Sequence, residues 1–193
     1  MVRTVTPETI RLYGGRLCLD FANSVDWTAD HVPIGVEEGI ADAGELGRWG
    51  RRLGIDAGLP TPDEFQAAIA LREALHLTYA AIAHDEAPPR EALERISADH
   101  AEASGASSLV ASEGAWRLDW PASEPRRVRF SAVVDAVALL ADPERLARVR
   151  QCPGRDCGWL FLDTSGRRHW CSMATCGSRA KMRRLYARQR GAG

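Results

Sequence analysis

Four cysteines in the last quarter of the chain, Cys152, Cys157, Cys171 and Cys176, constrain its fold more than any other residues. They are spaced C-x4-C, then thirteen residues, then C-x4-C. Two close pairs brought together by a short connection place four sulfurs around one tetrahedral ion, with thiolates about 2.3 Å from a Zn²⁺. Four protein ligands close such a site and leave no position for water or substrate, so the expected zinc is structural and not catalytic. A segment this short cannot build a core of its own, and metal binding then supplies its folding free energy. Loss of one ligand is expected to unfold the segment locally and leave 1–145 folded. His169 lies two residues before Cys171, but four cysteines already complete the shell.

The setting agrees with metal rather than disulfides. The opening MVRTVTPETIRLYGG has no apolar signal-peptide core, and no apolar run approaches the length of a bilayer span. A cytoplasmic protein with no membrane association is expected, and in a reducing compartment closely paired cysteines are metal ligands. Cys18, within the apolar stretch 17–21, is expected in the core.

The net charge of −1 conceals an asymmetry. Residues 151–193 hold nine basic and two acidic residues, +7, whereas 1–150 hold 16 basic and 24 acidic, −8. Four thiolates and one zinc ion subtract two charges from the tail and leave it strongly positive. The positive field therefore belongs to the metal module.

Upstream, the pattern is mostly helical. Cys18, Phe21, Ala22 and Val25 share a helical face, entered by a short strand after the Gly14-Gly15 turn; 28–40 reads as a loop. Asp42 and Glu45 mark one helix start, and Thr61, Pro62 and Glu64 mark another that runs to about 84. A helix over about 89–103 is followed by a hairpin around 112–114, in which Trp116, Leu118 and Trp120 alternate with Arg117 and Asp119 to give one apolar face. Helix returns at 130–140, and Asp142-Pro143 opens a last short one over 143–149. In the cysteine module, 159–163 and 167–171 read as two strands around Thr164-Ser165-Gly166, and a helix spans about 176–190. The fold class is α+β, mainly α: a helical domain with a small β element over 1–145, then a zinc-ribbon-like module over 146–193 that ends in a helix and is docked on the core.

The terminal helix carries a narrow apolar stripe, Met182, Leu185 and Tyr186, expected to pack on the zinc hairpin. That would expose Lys181, Arg184 and Arg188 on one flank and Arg179, Arg183 and Arg190 on the other, two ridges suited to the phosphate backbones beside a groove of double-stranded DNA. Arg167 and Arg168 at the hairpin tip add phosphate contacts. Ser178 and Arg179, at the helix start, are the candidates for base contact.

The run CPGRDCGWLFLDTSGRRHWCSMATCGSRAKMRRLYARQR resembles the CGNR-type zinc finger, with Ser178 in place of the signature asparagine. Gly15 to Val25, GRLCLDFANSV, is similar to the start of the ABATE domain, which precedes this finger in many bacterial proteins. The resemblance covers nearly the whole chain and implies a stress-induced transcription regulator.

Three other readings compete. Trp159, Phe161 and Trp170 could stack on unpaired bases of RNA. The zinc could be structural in a protein-interaction module whose basic helix docks an acidic partner. An enzyme is not expected, because no nucleotide-binding loop, nucleophile elbow or acid–base pair is present. Asp20 and Asn23, one helical turn apart, either line a pocket for a small-molecule effector or cap and brace the first helix. A homodimer is compatible with all of these readings.

Overall fold

The computed structural model describes residues 5–28, 30–35, 39–155 and 157–190. Seven α-helices and three two-stranded antiparallel sheets occur among them, in the order α1 (Leu17–Ala22), β1 (Asp26–Trp27), β2 (Pro33–Ile34), α2 (Ala43–Arg52), α3 (Pro62–Ala83), α4 (Arg90–Gly105), β3 (Ser108–Ser112), β4 (Ala115–Asp119), α5 (Arg127–Leu140), α6 (Pro143–Leu146), β5 (Val149–Gln151), β6 (Leu160–Leu162) and α7 (Ser178–Arg190). The class is α+β, mainly α, as the pattern predicts.

The helix starts follow from local chemistry. Asp42 accepts from the Glu45 N–H at 2.8 Å, and the Glu45 carboxylate reaches back to the Ala41 N–H at 2.8 Å, so each end of the pair satisfies an orphan donor. Thr61 caps α3 through the Glu64 N–H, with Pro62 at the first helical position. Glu64 departs from the expected capping role. Its side chain is buried and turned onto Arg129 of α5, whose Nε and Nη2 donate to the two carboxylate oxygens at 2.8 Å each. Arg129 also donates to Asp99 and Glu102 of α4. One buried guanidinium thus joins three helices.

Around that pin, α1, α3, α4 and α5 enclose an apolar core that includes Leu19, Phe21, Leu71, Leu75, Tyr79, Phe130, Val133 and Leu139. Cys18 is buried there, as expected. The core does not stop at the front domain. Val149, Leu160 and Leu162 from β5 and β6 belong to the same cluster.

Several elements differ from the sequence expectation. Helix α1 ends at Ala22 and leaves Val25 outside, because Asn23 turns away to bind the module. No strand precedes α1 among the described residues; Gly14 instead offers its carbonyl to Leu162 at 2.8 Å. The expected loop over 28–40, in which 29 and 36–38 lie outside the described residues, includes half of a short hairpin between β1 and β2. In the β3–β4 hairpin the apolar face is largely open: Leu109 and Trp116 are 65% and 71% exposed. Trp120, just past the strand, is the residue that reaches the core, its indole N–H donating to Ala103. Helix α6 is one turn long, stopping at Leu146 so that β5 can begin.

Replacing Arg129 by alanine leaves the buried Glu64 carboxylate without its ion-pair partner, whereas Asp99 keeps Arg95 and Glu102 keeps Arg126, so the Arg129→Ala protein should lose about 3 kcal/mol of stability in urea unfolding.

Candidate metal centre and basic surface

The first cysteine pair sits in the loop joining β5 to β6, whose register pairs Val149 with Leu162, Arg150 with Phe161 and Gln151 with Leu160. The Cys152 N–H donates to the Trp159 carbonyl at 2.9 Å and closes the base of the loop. Within it, the Cys157 N–H turns back to Gly154 at 3.1 Å. A Cβ on Gly154 would lie 2.9 Å from Cys176 Sγ, so only glycine lets this loop approach the second pair.

The second pair does not sit on a second strand. The expected pairing of 159–163 with 167–171 is absent, because both edges of β6 are taken. On one edge lies β5. On the other, the Asn23 amide donates to the Leu160 carbonyl at 2.7 Å and accepts from the Leu160 N–H at 2.9 Å, with Gly14 completing the row. Asp163 then turns the chain away, one carboxylate oxygen accepting from Ser165 N–H, Ser165 Oγ and Arg168 N–H. Cys171 follows that turn. Cys176 lies in a single π turn, Met173–Gly177, capped by Ser172 and running into α7.

The four ligand sulfurs lie within 4.8 Å of one another, with Cys157–Cys171 at 3.8 Å and Cys171–Cys176 at 3.6 Å. A tetrahedron of thiolates on zinc has edges of about 3.8 Å. The donor set therefore fits one Zn²⁺ held by Cys152, Cys157, Cys171 and Cys176, a structural ion. Hydrogen bonds from Cys157 and Cys171 hold the Cys152 thiol far below its ordinary range, and the same contacts push Cys157 and Cys171 above theirs. Four thiolates cannot share this space without a cation.

Side chains around the metal tie the module to the front domain. The Arg168 guanidinium stacks over Phe161 at 4.4 Å and donates to the carbonyls of Tyr13, Trp170 and Cys171. It is placed inside the fold rather than at a tip. The Trp159 indole donates to Asp26 at 2.8 Å. Gly158 packs so closely that an added Cβ would lie 2.6 Å from Trp27 Cβ. Phe161 is buried, and Trp159 and Trp170 pack against it and the cysteines.

Asp20 and Asn23 brace the structure. Asp20 accepts the buried Gly14 N–H at 2.7 Å, and burial pushes its carboxyl up to about 6 against the attraction of Arg168 and Arg52. Asn23 spends its amide on Leu160. It also borders a cavity of about 460 Å³ between the front domain and the module, along with Arg11, Tyr13, Trp27, Trp159 and Arg179.

Helix α7 differs from its expected setting. Its stripe is not packed on the module: Met182, Leu185 and Tyr186 are 42%, 47% and 58% exposed, and Ala180 is its buried residue. The helix packs chiefly on the π turn that launches it. Ser178, Arg179, Lys181, Arg183, Arg184 and Arg188 are all exposed, as is Arg167 on the 163–169 turn. Every ion pair among the described residues joins residues between Glu8 and Arg145. The front domain neutralises most of its described arginines internally, whereas no described carboxylate pairs with the module's Arg167, Arg179, Lys181, Arg183, Arg184 or Arg188; Arg179 reaches the Cys176 sulfur at 4.0 Å. Arg148 and Arg150, exposed beside β5, belong to the same unpaired set and were not singled out by sequence. Their alternation immediately before Cys152 was the available signal.

Two family models match the chain. The CGNR zinc finger matches residues 148–189, and ABATE, described as "Putative stress-induced transcription regulator", matches residues 15–143. No curated protein matches the chain. Among the described residues no helix is long and apolar enough to cross a membrane.

Two outcomes are expected. Cys171→Ser should reduce bound zinc from one per chain to near zero by elemental analysis and release the module, and the melting temperature of the remaining helices should fall because Val149, Leu160 and Leu162 leave the shared core. The raised Asp20 value means that its ionisation opposes folding. The contribution is complete below about pH 4 and is lost as pH rises through about 6. Asp20→Asn should therefore gain on the parent protein between pH 4 and 7, by on the order of 1–3 kcal/mol, in parallel denaturation series.

Proposed function

Since the chain belongs to the ABATE family and ends in a CGNR zinc finger, we propose that it is a DNA-binding transcription regulator of the cytoplasm whose 146–193 module contacts the duplex and whose 1–145 domain senses or oligomerises. The observation that carries the reading is the segregation of unpaired charge. Arg148, Arg150, Arg167, Lys181, Arg183, Arg184 and Arg188 of the module have no acidic partner among the described residues, while the front domain pairs most of its described arginines. Uncompensated cations on a metal-stiffened scaffold are the electrostatic footprint of a polyanion partner.

The proposed contact helix is α7. Its thirteen residues span about 20 Å, and the major groove is wide enough to admit a helix. Because the helix stands off the body, its stripe and both charged flanks are presented together. Arg183, Arg184, Lys181 and Arg188 are assigned to phosphates, and Ser178 and Arg179 at the helix start to base edges. Arg167 adds a phosphate contact from the turn. Arg168 has committed its donors to carbonyls and is assigned to holding the module in place. In this scheme the cavity between the domains is where an effector would touch both Tyr13 and Arg179, and so the base of α7.

RNA stacking has less support. Phe161 is buried and Trp159 and Trp170 pack on it, so the aromatic surface that reading requires is used inside the module.

Zinc-loaded protein should bind duplex DNA with submicromolar affinity at low salt, weakening steeply as salt is raised. Arg183→Ala with Arg184→Ala should reduce the slope of log K against log salt by about 1.8, measured by anisotropy. No salt-sensitive binding to any member of a random duplex pool would refute the assignment.

A further inference from the structure

The module presents a second basic feature that shares no residue with α7. A cleft of about 440 Å³ lies between β5 and the 163–169 turn, bordered by Arg148, Arg150, Arg167, Arg168, Asp163 and His169. We propose that this cleft is a phosphate-binding site for the backbone of duplex DNA, with Arg148, Arg150 and Arg167 as its contacts. The proposal rests on the DNA-binding reading and adds to it a site of different geometry, in which Arg148 and Arg150 join Arg167.

Charge bookkeeping within the cleft supports the assignment. Asp163 is the one acid among the bordering residues, and the carboxylate oxygen described above is filled by three donors of its own turn. Arg168 is spent on three carbonyls. Among the described residues none of the four guanidinium groups pairs with a carboxylate, and three of them, Arg148, Arg150 and Arg167, are exposed. Two of them are aimed in advance. Arg150 Nη1 donates to the Ala147 and Val149 carbonyls at 2.8 Å each, and Arg148 Nη1 donates to the Thr164 carbonyl at 3.3 Å. Each such anchor occupies one nitrogen of a group with five N–H donors, so the other nitrogens remain to grip a phosphate oxygen.

The cleft also differs from α7 in rigidity. Its walls are the β5–β6 ladder, the Asp163 turn and the Arg168–Phe161 stack, all packed against the front domain. Helix α7 is held mainly at its base. Donors fixed before binding lose less freedom on contact, so the cleft sets the position of the duplex backbone while α7 supplies further charge. The arginines are exposed around an open cleft, which suits a phosphate of a polymer passing across it.

The test uses the full zinc-loaded chain and a panel of unrelated duplexes, with binding followed by anisotropy across salt. The Arg148→Ala, Arg150→Ala protein should weaken on every duplex alike and lose about 1.8 from the salt slope, whereas Arg148→Lys, Arg150→Lys should keep the slope. Arg167→Glu, on an exposed turn, should weaken binding further than removal of one charge, and it reads the same cleft if the double alanine protein has lost zinc or melts early. If the alanine pair keeps zinc, affinity and slope while the α7 variants lose them, the cleft assignment is overturned and the DNA reading stands. If the parent protein binds no duplex, the DNA reading fails first and the cleft assignment falls with it.

Discussion

The peptide group of Leu160 is bound from the side by Asn23, whose amide donates to its carbonyl and accepts from its N–H as a neighbouring strand would. The path of the chain after β6 depends on that contact. It fills the free edge of β6, so the chain after Asp163 cannot pair there and must turn. The turn delivers Cys171 to the sulfur cluster and places Arg168 under the backbone of Tyr13. It also explains why α1 is short, since a helix continuing through Asn23 could not aim the amide outward. The zinc module is therefore a continuation of the main core, stapled on its far side by metal.

Two kinds of charge management coexist in one chain. In the front domain, acids and arginines are arranged in closed groups, of which the Arg129 cluster with Glu64, Asp99 and Glu102 is the most buried. Such groups give the helices a defined arrangement, because removing Arg129 strands the buried carboxylate of Glu64. In the module, Arg148, Arg150 and Arg168 are oriented by backbone carbonyls instead. A carbonyl positions a guanidinium without cancelling its charge. The contrast gives the front domain a structural use for its paired arginines and leaves the charge of Arg148 and Arg150 uncancelled by any described carboxylate.

The legible parts of the sequence were those fixed by short-range chemistry. Cys152, Cys157, Cys171 and Cys176 announced themselves because thiolate coordination demands close pairs. Asp42 with Glu45, and Thr61 with Pro62, marked helix starts because a cap and its donor lie within one turn. The less legible parts depend on distant partners. Asn23 meets Leu160 across 137 positions and Arg168 meets Tyr13 across 155, and nothing local distinguishes either residue from a surface polar group. The misjudged strand at 167–171 has the same origin. Its composition suits a strand, but the edge it needed belonged to another part of the chain. The exposed stripe of α7 was misjudged because apolar spacing indicates a face without indicating what covers it.

Cys176 is at once a metal ligand and part of the turn from which α7 departs. The ion therefore sets the bearing of the helix as well as the shape of the loop. Losing the ion would release the base of α7 from the loop that carries Cys152 and Cys157, while the charges along the helix stay the same. Metal occupancy would thus act on where those charges are held and not on how many there are.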